Sequence, residues 1–124
     1  MKENAKILVV DDDSGIGEML KTLLEFYDFQ VTVTERPEET EQLIAEHDID
    51  LVMLDMLISG VNGTDVCARL RQNEETKDVP VLMMSALHDA GSKCRKAGAN
   101  DFIAKPFEMD DLIEKINEVL EKQE

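Results

Sequence analysis

The sequence predicts an α/β fold, a three-layer α/β/α sandwich around a five-stranded parallel sheet. Apolar runs of strand length alternate with amphipathic stretches of helix length, the pattern of repeated βαβ units. The runs are apolar almost without interruption, as strands buried on both faces are. Four of the five runs also end in a residue able to bind or react.

Taken in order, Lys6-Ile7-Leu8-Val9-Val10 is the first strand, closed by three aspartates. Residues 14–28 place Ile16, Met19, Leu20, Leu23, Leu24 and Tyr27 on a helical stripe. Ser14 is the expected N-cap, and Gly15 and Gly17 weaken the first turn. Val31 and Val33 alternate with Thr32 and Thr34 in the second strand, and Pro37 suits the first turn of a helix holding Leu43 and Ile44. Ile49 to Leu54 is the third strand and ends at Asp55. The loop Ser59-Gly60-Val61-Asn62-Gly63 then leads into a helix carrying Val66, Cys67 and Leu70. Val79 to Met84 is the fourth strand, ending at Ser85. The fourth helix, begun by His88 and containing Gly91, is weakly patterned and expected to be short or mobile. Phe102-Ile103-Ala104 is the fifth strand, ending at Lys105-Pro106. The last helix, from about Met109, sets Leu112, Ile113, Ile116, Val119 and Leu120 on one face. Strands joined through helices run parallel, with right-handed crossovers.

A chain of 124 residues is the size of one domain, read here as 1–124 with a core of about 5–121. An apolar fraction of 43% is enough to bury a core. Twenty-eight Asp and Glu against 13 Lys and Arg leave a net charge of −15. Such a charge opposes direct binding of nucleic acid or of an anionic membrane. It favours cations, basic patches and other proteins as partners. No apolar stretch approaches the ~20 residues of a membrane span, and the N-terminus lacks a signal-peptide pattern. Cys67 and Cys94 are too few for a disulfide framework and have no metal-ligand spacing, so a reduced, cytoplasmic protein is expected. No repeat, low-complexity tract or linker signals a second domain.

In an open parallel sheet, ligands bind outside the carboxyl ends of the strands. There the first strand delivers Asp11 and Asp12, with Asp13 behind them, the third Asp55, the fourth Ser85 and the fifth Lys105. Two carboxylates about 4 Å apart repel by roughly 4 kcal/mol at an effective dielectric near 20, so a converging trio needs a cation or a shared proton. Hard oxygen ligands in an incomplete cage suit Mg²⁺. One carboxylate of such a set can attack phosphorus to form an aspartyl phosphate. A metal and a lysine then neutralise the equatorial oxygens, and a hydroxyl bonds one of them. An EF-hand is excluded because its sixth and twelfth loop positions would be Ile16 and Thr22. Gly60 and Gly63 form no P-loop, since no Gly-Lys-Ser/Thr follows. A metal-dependent phosphatase would use the same nucleophile, but no second carboxylate is placed as its acid/base.

The segments ILVVDDD, LVMLDM, VLMMSA and FIAKPF, in this order and spacing, resemble the receiver domain of two-component response regulators from about Lys6 to the final helix. The resemblance implies a flavodoxin-like sheet of order 2-1-3-4-5. It also implies a signalling domain, not an enzyme, that assists its own phosphorylation and dephosphorylation. Asp55 would accept the phosphoryl group from a phosphohistidine on a sensor kinase or phosphotransfer protein. Mg²⁺, with Mn²⁺ able to substitute, would be ligated by Asp12, Asp55 and the backbone carbonyl of Leu57, with Asp11 acting largely through water. Ser85 would contact a phosphoryl oxygen and Lys105 would pair with it. Phe102 occupies the aromatic switch position, turning inward when Ser85 moves, and the Lys105–Pro106 bond is expected to be cis. The switch would control a downstream protein target or effector domain through the face of helix four, strand five and helix five, also a possible dimer surface. The sequence departs from the family pattern at Ser59, where proline is common, and at Leu57 and Leu87, the two variable positions flanking the phosphoryl group. The stretch from Ser85 to Lys105 is also about two residues short.

Overall fold

Each of the five apolar runs becomes a parallel strand of one sheet in the computed structural model, which describes residues 4–58, 60–87 and 90–122. The elements are β1 (Lys6–Val10), α1 (Ser14–Phe26), β2 (Gln30–Thr34), a 3₁₀ turn (Pro37–Glu39), α2 (Thr40–His47), β3 (Leu51–Asp55), β4 (Leu57–Ile58), β5 (Val61–Asn62), α3 (Gly63–Gln72), β6 (Val81–Ser85), α4 (Gly91–Lys96), β7 (Asp101–Ala104) and α5 (Met109–Glu121). The main sheet has the order β2-β1-β3-β6-β7, with every neighbouring pair parallel. Set aside the separate antiparallel ribbon of β4 and β5, and this is the expected 2-1-3-4-5.

The strands are apolar throughout because successive side chains enter opposite cores. Ile7 and Val9 of β1 join Leu51 and Met53 of β3, Leu20 and Leu24 of α1, and Leu112 and Ile116 of α5 on one face. Leu8 and Val10 join Val52 and Leu54, Ile44 of α2, Val66 and Leu70 of α3, and Cys94 of α4 on the other. Burying each such aliphatic side chain contributes about 1.5–3 kcal/mol, so the two-sided core is the main stabilising term. Met53, Met83 and Met84 are wholly buried packing residues. Both cysteines are buried free thiols, and burial pushes both thiols up from their ordinary pKa.

Several local expectations need correction. The N-cap of α1 is Asp13, not Ser14. Asp13 holds the extended backbone and its Oδ1 accepts the Ile16 N–H at 3.2 Å; both residue types can cap, and the backbone path out of β1 chooses between them. Leu20 and Leu24 of the α1 stripe are buried, but Met19 and Tyr27 are exposed, because the helix rests on the sheet by one narrow face and ends at Phe26. Gly17 does more than weaken the first turn. A Cβ there would come within 2.8 Å of Val33 Cγ1, so the bare backbone is what lets α1 close on β2. Pro37 heads a 3₁₀ turn, and α2 starts at Thr40, whose hydroxyl donates to the Pro37 carbonyl at 2.7 Å. The fourth helix is short, as expected, and begins at Gly91; His88, like Ser59, lies outside the described residues. Among the described residues no helix is long and apolar enough to cross a membrane.

Candidate functional site

Strand ends place the functional side chains. Asp11 directly follows β1, its N–H still paired with the Thr34 carbonyl at 3.1 Å. Its side chain is almost wholly buried, 1% exposed. Asp55 is the last residue of β3 and Ser85 the last of β6. Lys105 follows β7 and is held there by its N–H to the Ser85 carbonyl at 2.7 Å. Parallel register therefore delivers all of them to one rim. The Lys105–Pro106 bond is cis, as the resemblance implied.

Lys105 Nζ lies 3.1 Å from Asp11 Oδ2 and 3.2 Å from Asp55 Oδ2. Asp11 Oδ1 accepts the Asp13 N–H at 3.0 Å. One oxygen from each of Asp11, Asp12 and Asp55 lies within 4.8 Å of the others. Burial and the Asp11 charge push the Asp55 carboxyl above the ordinary carboxylate range, against the pull of Lys105 and of the Leu57 N–H. Burial alone would lower the Lys105 ammonium, but hydrogen bonds and charge from Asp11 and Asp55 hold it above its usual value. Lys105 is thus the internal counter-ion of a crowded acidic site. The donor set is all hard oxygen, three carboxylates at one open edge, and it fits Mg²⁺ in chemistry and in number.

Ser85 is buried, and its Oγ accepts the Leu87 N–H at 3.0 Å, which leaves the hydroxyl hydrogen available to donate. Leu57 and Leu87 are 62% and 57% exposed, each two residues beyond a strand-end group of the site. Phe102 stands apart from the carboxylates. It pairs with Met83 in register, two positions before the Ser85–Ala104 pair, and packs half-buried against the core on the α2–α4 side. An apolar cavity of about 310 Å³ borders Lys105, lined by Ile16, Met19, Ala86, Pro106 and Phe107.

Gly63 belongs to the site although its place in the sequence reads only as a loop glycine. Its N–H donates to the Met56 carbonyl at 2.6 Å. A Cβ at Gly63 would collide with the Asp55 carbonyl oxygen and lie 2.9 Å from Met56 Cα. The start of α3 thus packs directly on the backbone that holds Asp55. A glycine opening a helix soon after the strand-end aspartate was the available signal.

Residues 7–117 match the response regulator receiver domain family. The chain belongs to this family. Such receivers, in two-component systems, accept a phosphoryl group on an aspartate and so control an effector; they are signalling domains, not conventional enzymes. The chain is 33% identical over 119 residues to the DNA-binding dual master transcriptional regulator RpaA of Synechocystis, covering 94% of this chain and 49% of RpaA. It is 31% identical to the phosphate regulon transcriptional regulatory protein PhoB of Pseudomonas aeruginosa, covering 94% and 52%. The receiver therefore spans about half the length of these relatives. The receiver domain of Francisella response regulator 1452 superposes with a TM-score of 0.87 at 29% identity, over 98% of this chain and all of that one. The BeF₃-activated N-terminal receiver domain of Klebsiella pneumoniae RstA does so with a TM-score of 0.84 at 28% identity, over 93% and 97%.

Proposed function

We propose that this receiver takes its phosphoryl group on Asp55, in a Mg²⁺-dependent reaction, from a phosphohistidine on a sensor kinase or phosphotransfer protein. The observation that carries the reading is Lys105 Nζ within 3.2 Å of Asp55 at a rim shared with two further aspartates. An Asp55 oxygen attacks phosphorus, the phosphorus–nitrogen bond breaks, and the departing electron pair and a proton remain on the donor imidazole. Lys105 neutralises one developing phosphoryl oxygen and the Ser85 hydroxyl donates to another. Asp11, Asp12, Asp55 and the Leu57 carbonyl would hold Mg²⁺, or Mn²⁺ in its place, which supplies the remaining positive charge for the phosphoryl oxygens. By lending these groups the domain assists its own phosphorylation and dephosphorylation. Phosphoryl uptake from acetyl phosphate, with and without Mg²⁺, in the wild type and in Asp55→Asn, is the test.

The reading extends to a single receiver domain over 1–124 acting in the cytoplasm, supported by the two thiols left free. At −15 the receiver itself leaves nucleic acid to an effector domain or a protein partner. Ser85 and Phe102 share one face of neighbouring strands, so modification at Asp55 is relayed to the face of α4, β7 and α5, which engages the target. The same face pairs two copies of the modified domain. The exposed side chains of α4 include Lys93, Arg95 and Lys96, and those of α5 include Asp110, Asp111, Glu114 and Glu118, so a two-fold arrangement sets basic α4 against acidic α5. Light scattering with Mg²⁺ and beryllofluoride is expected to report a dimer that 0.5 M NaCl dissolves; a monomer under both conditions would remove this surface from the reading.

Leu57 and Leu87 exclude water from the acyl phosphate. Leu57→Asn and Leu87→Asn are each expected to speed its loss several-fold, about 1 kcal/mol of barrier. Phosphate release timed after removal of the donor checks this, and decay unchanged from the wild type in both variants ends the idea.

A further inference from the structure

We propose that Asp101 is a latch that ties α4 to α5 across the edge strand β7, and that its release is energetically linked to occupation of Asp55. The inference rests on the reading of Asp55 as the modified residue. Asp101 opens β7, and its side chain is only 15% exposed. Its Oδ1 accepts from Arg95 Nη2 of α4 at 3.2 Å and from the Phe102 N–H at 2.8 Å. Its Oδ2 accepts from Lys115 Nζ of α5 at 3.4 Å. One carboxylate thus joins three elements at the face through which the switch acts.

Further features make this joint a latch. Helix α4 has only six residues, too few to be stable without tertiary support. Its far end is pinned, because Arg71 Nε donates to the Gly98 carbonyl at 2.9 Å and Arg71 Nη2 donates to Asn100 Oδ1 at 3.0 Å. At its near end a Cβ on Gly91 would touch Phe102, at 3.6 Å from Cδ1. The Arg95–Asp101 pair therefore fixes the tilt of α4 over Phe102. Strand β7 carries the latch at its start and Lys105, the partner of Asp55, just past its end. Arg95 is well exposed and Lys115 about one-third exposed, so water takes over both cations cheaply when α4 shifts. If the pairs exist only in the unmodified conformation, breaking them must strengthen binding at Asp55, because coupling between two sites is reciprocal.

Beryllofluoride, with Mg²⁺, titrated into the full chain at a concentration that keeps it monomeric and followed by fluorine NMR, tests the link. Asp101→Asn, Arg95→Gln and Lys115→Gln are each expected to tighten binding by about three- to tenfold, the range set by one or two partly exposed ion pairs. The sign separates the latch from bulk electrostatics, under which losing Arg95 or Lys115 weakens binding of an anion. Weaker or unchanged binding in both cation variants, with normal binding by the wild type, overturns the latch alone. No binding by the wild type overturns the assignment of Asp55, and the latch with it. Hydrogen exchange in the wild type, at a concentration that keeps the beryllofluoride-bound chain monomeric, gives a readout free of folding and dimer effects: amides of α4 should exchange faster when beryllofluoride is bound, and unchanged protection contradicts the proposal.

Discussion

Asp55→Asn is expected to abolish phosphoryl uptake from acetyl phosphate while leaving the fold intact. The amide keeps the shape of the side chain but removes the nucleophilic anion, so the loss is complete, not partial. Stability should change little. Unit charges within 4.8 Å of one another interact by about 3.5 kcal/mol or more at an effective dielectric of 20. Neutralising Asp55 therefore relieves repulsion from Asp11 and Asp12 by about as much as it forfeits attraction to Lys105, which keeps its 3.1 Å contact with Asp11. Intact mass should show one phosphoryl adduct on the wild type with Mg²⁺, none with EDTA, and none on the variant. An adduct that survives the substitution would place the acceptor elsewhere.

Gly63→Ala is expected to be the most damaging single-methyl change in the molecule. The added carbon meets backbone, the Asp55 carbonyl oxygen and Met56 Cα, which cannot swing aside as the end of a side chain can. Overpacking costs about 1–3 kcal/mol, occasionally more, and a clash with fixed backbone belongs at the upper end of that range. Against a total stability on the order of 5–15 kcal/mol, a fall of ~3 kcal/mol is large. It also displaces the carboxylate that Lys105 must reach. Urea unfolding should show a markedly lower midpoint, with slower phosphoryl uptake in the fraction still folded. Gly60→Ala is the control. That residue has φ +81° but open space around it, so only the left-handed backbone penalty of about 1–2 kcal/mol applies. A Gly63→Ala midpoint equal to the wild type's would show that α3 does not press on the strand that ends at Asp55.

Both the frame and the rim could be read from the linear order of residues, for one reason. Strand periodicity is local, and a strand's last residue is known once the strand is known. Asp11, Asp55, Ser85 and Lys105 each close an apolar run, so a parallel sheet had to bring them to the same edge. The succession of strands and helices, the two-sided burial and the short fourth helix follow in the same way. The sheet order came instead from the likeness to receivers, because which strands become neighbours is not a local property.

Other features depend on which distant atoms approach each other. Gly17 reads as a weak point in the first turn of a helix and Gly63 as a loop residue, yet each is required where another segment's atoms come too close for a side chain. Asp13 and Ser14 are equally able to cap, and the chain's exit from β1 selects Asp13. Asp101 gains its meaning from Arg95 and Lys115, six and fourteen positions away on other elements, a pairing that no period within one element produces. Patterning along the chain thus determined the elements, the core and the acidic rim. The fold decided the sheet's partners, the close glycine contacts and the ion pairs across β7, because those energies depend on separations in space that sequence distance does not encode.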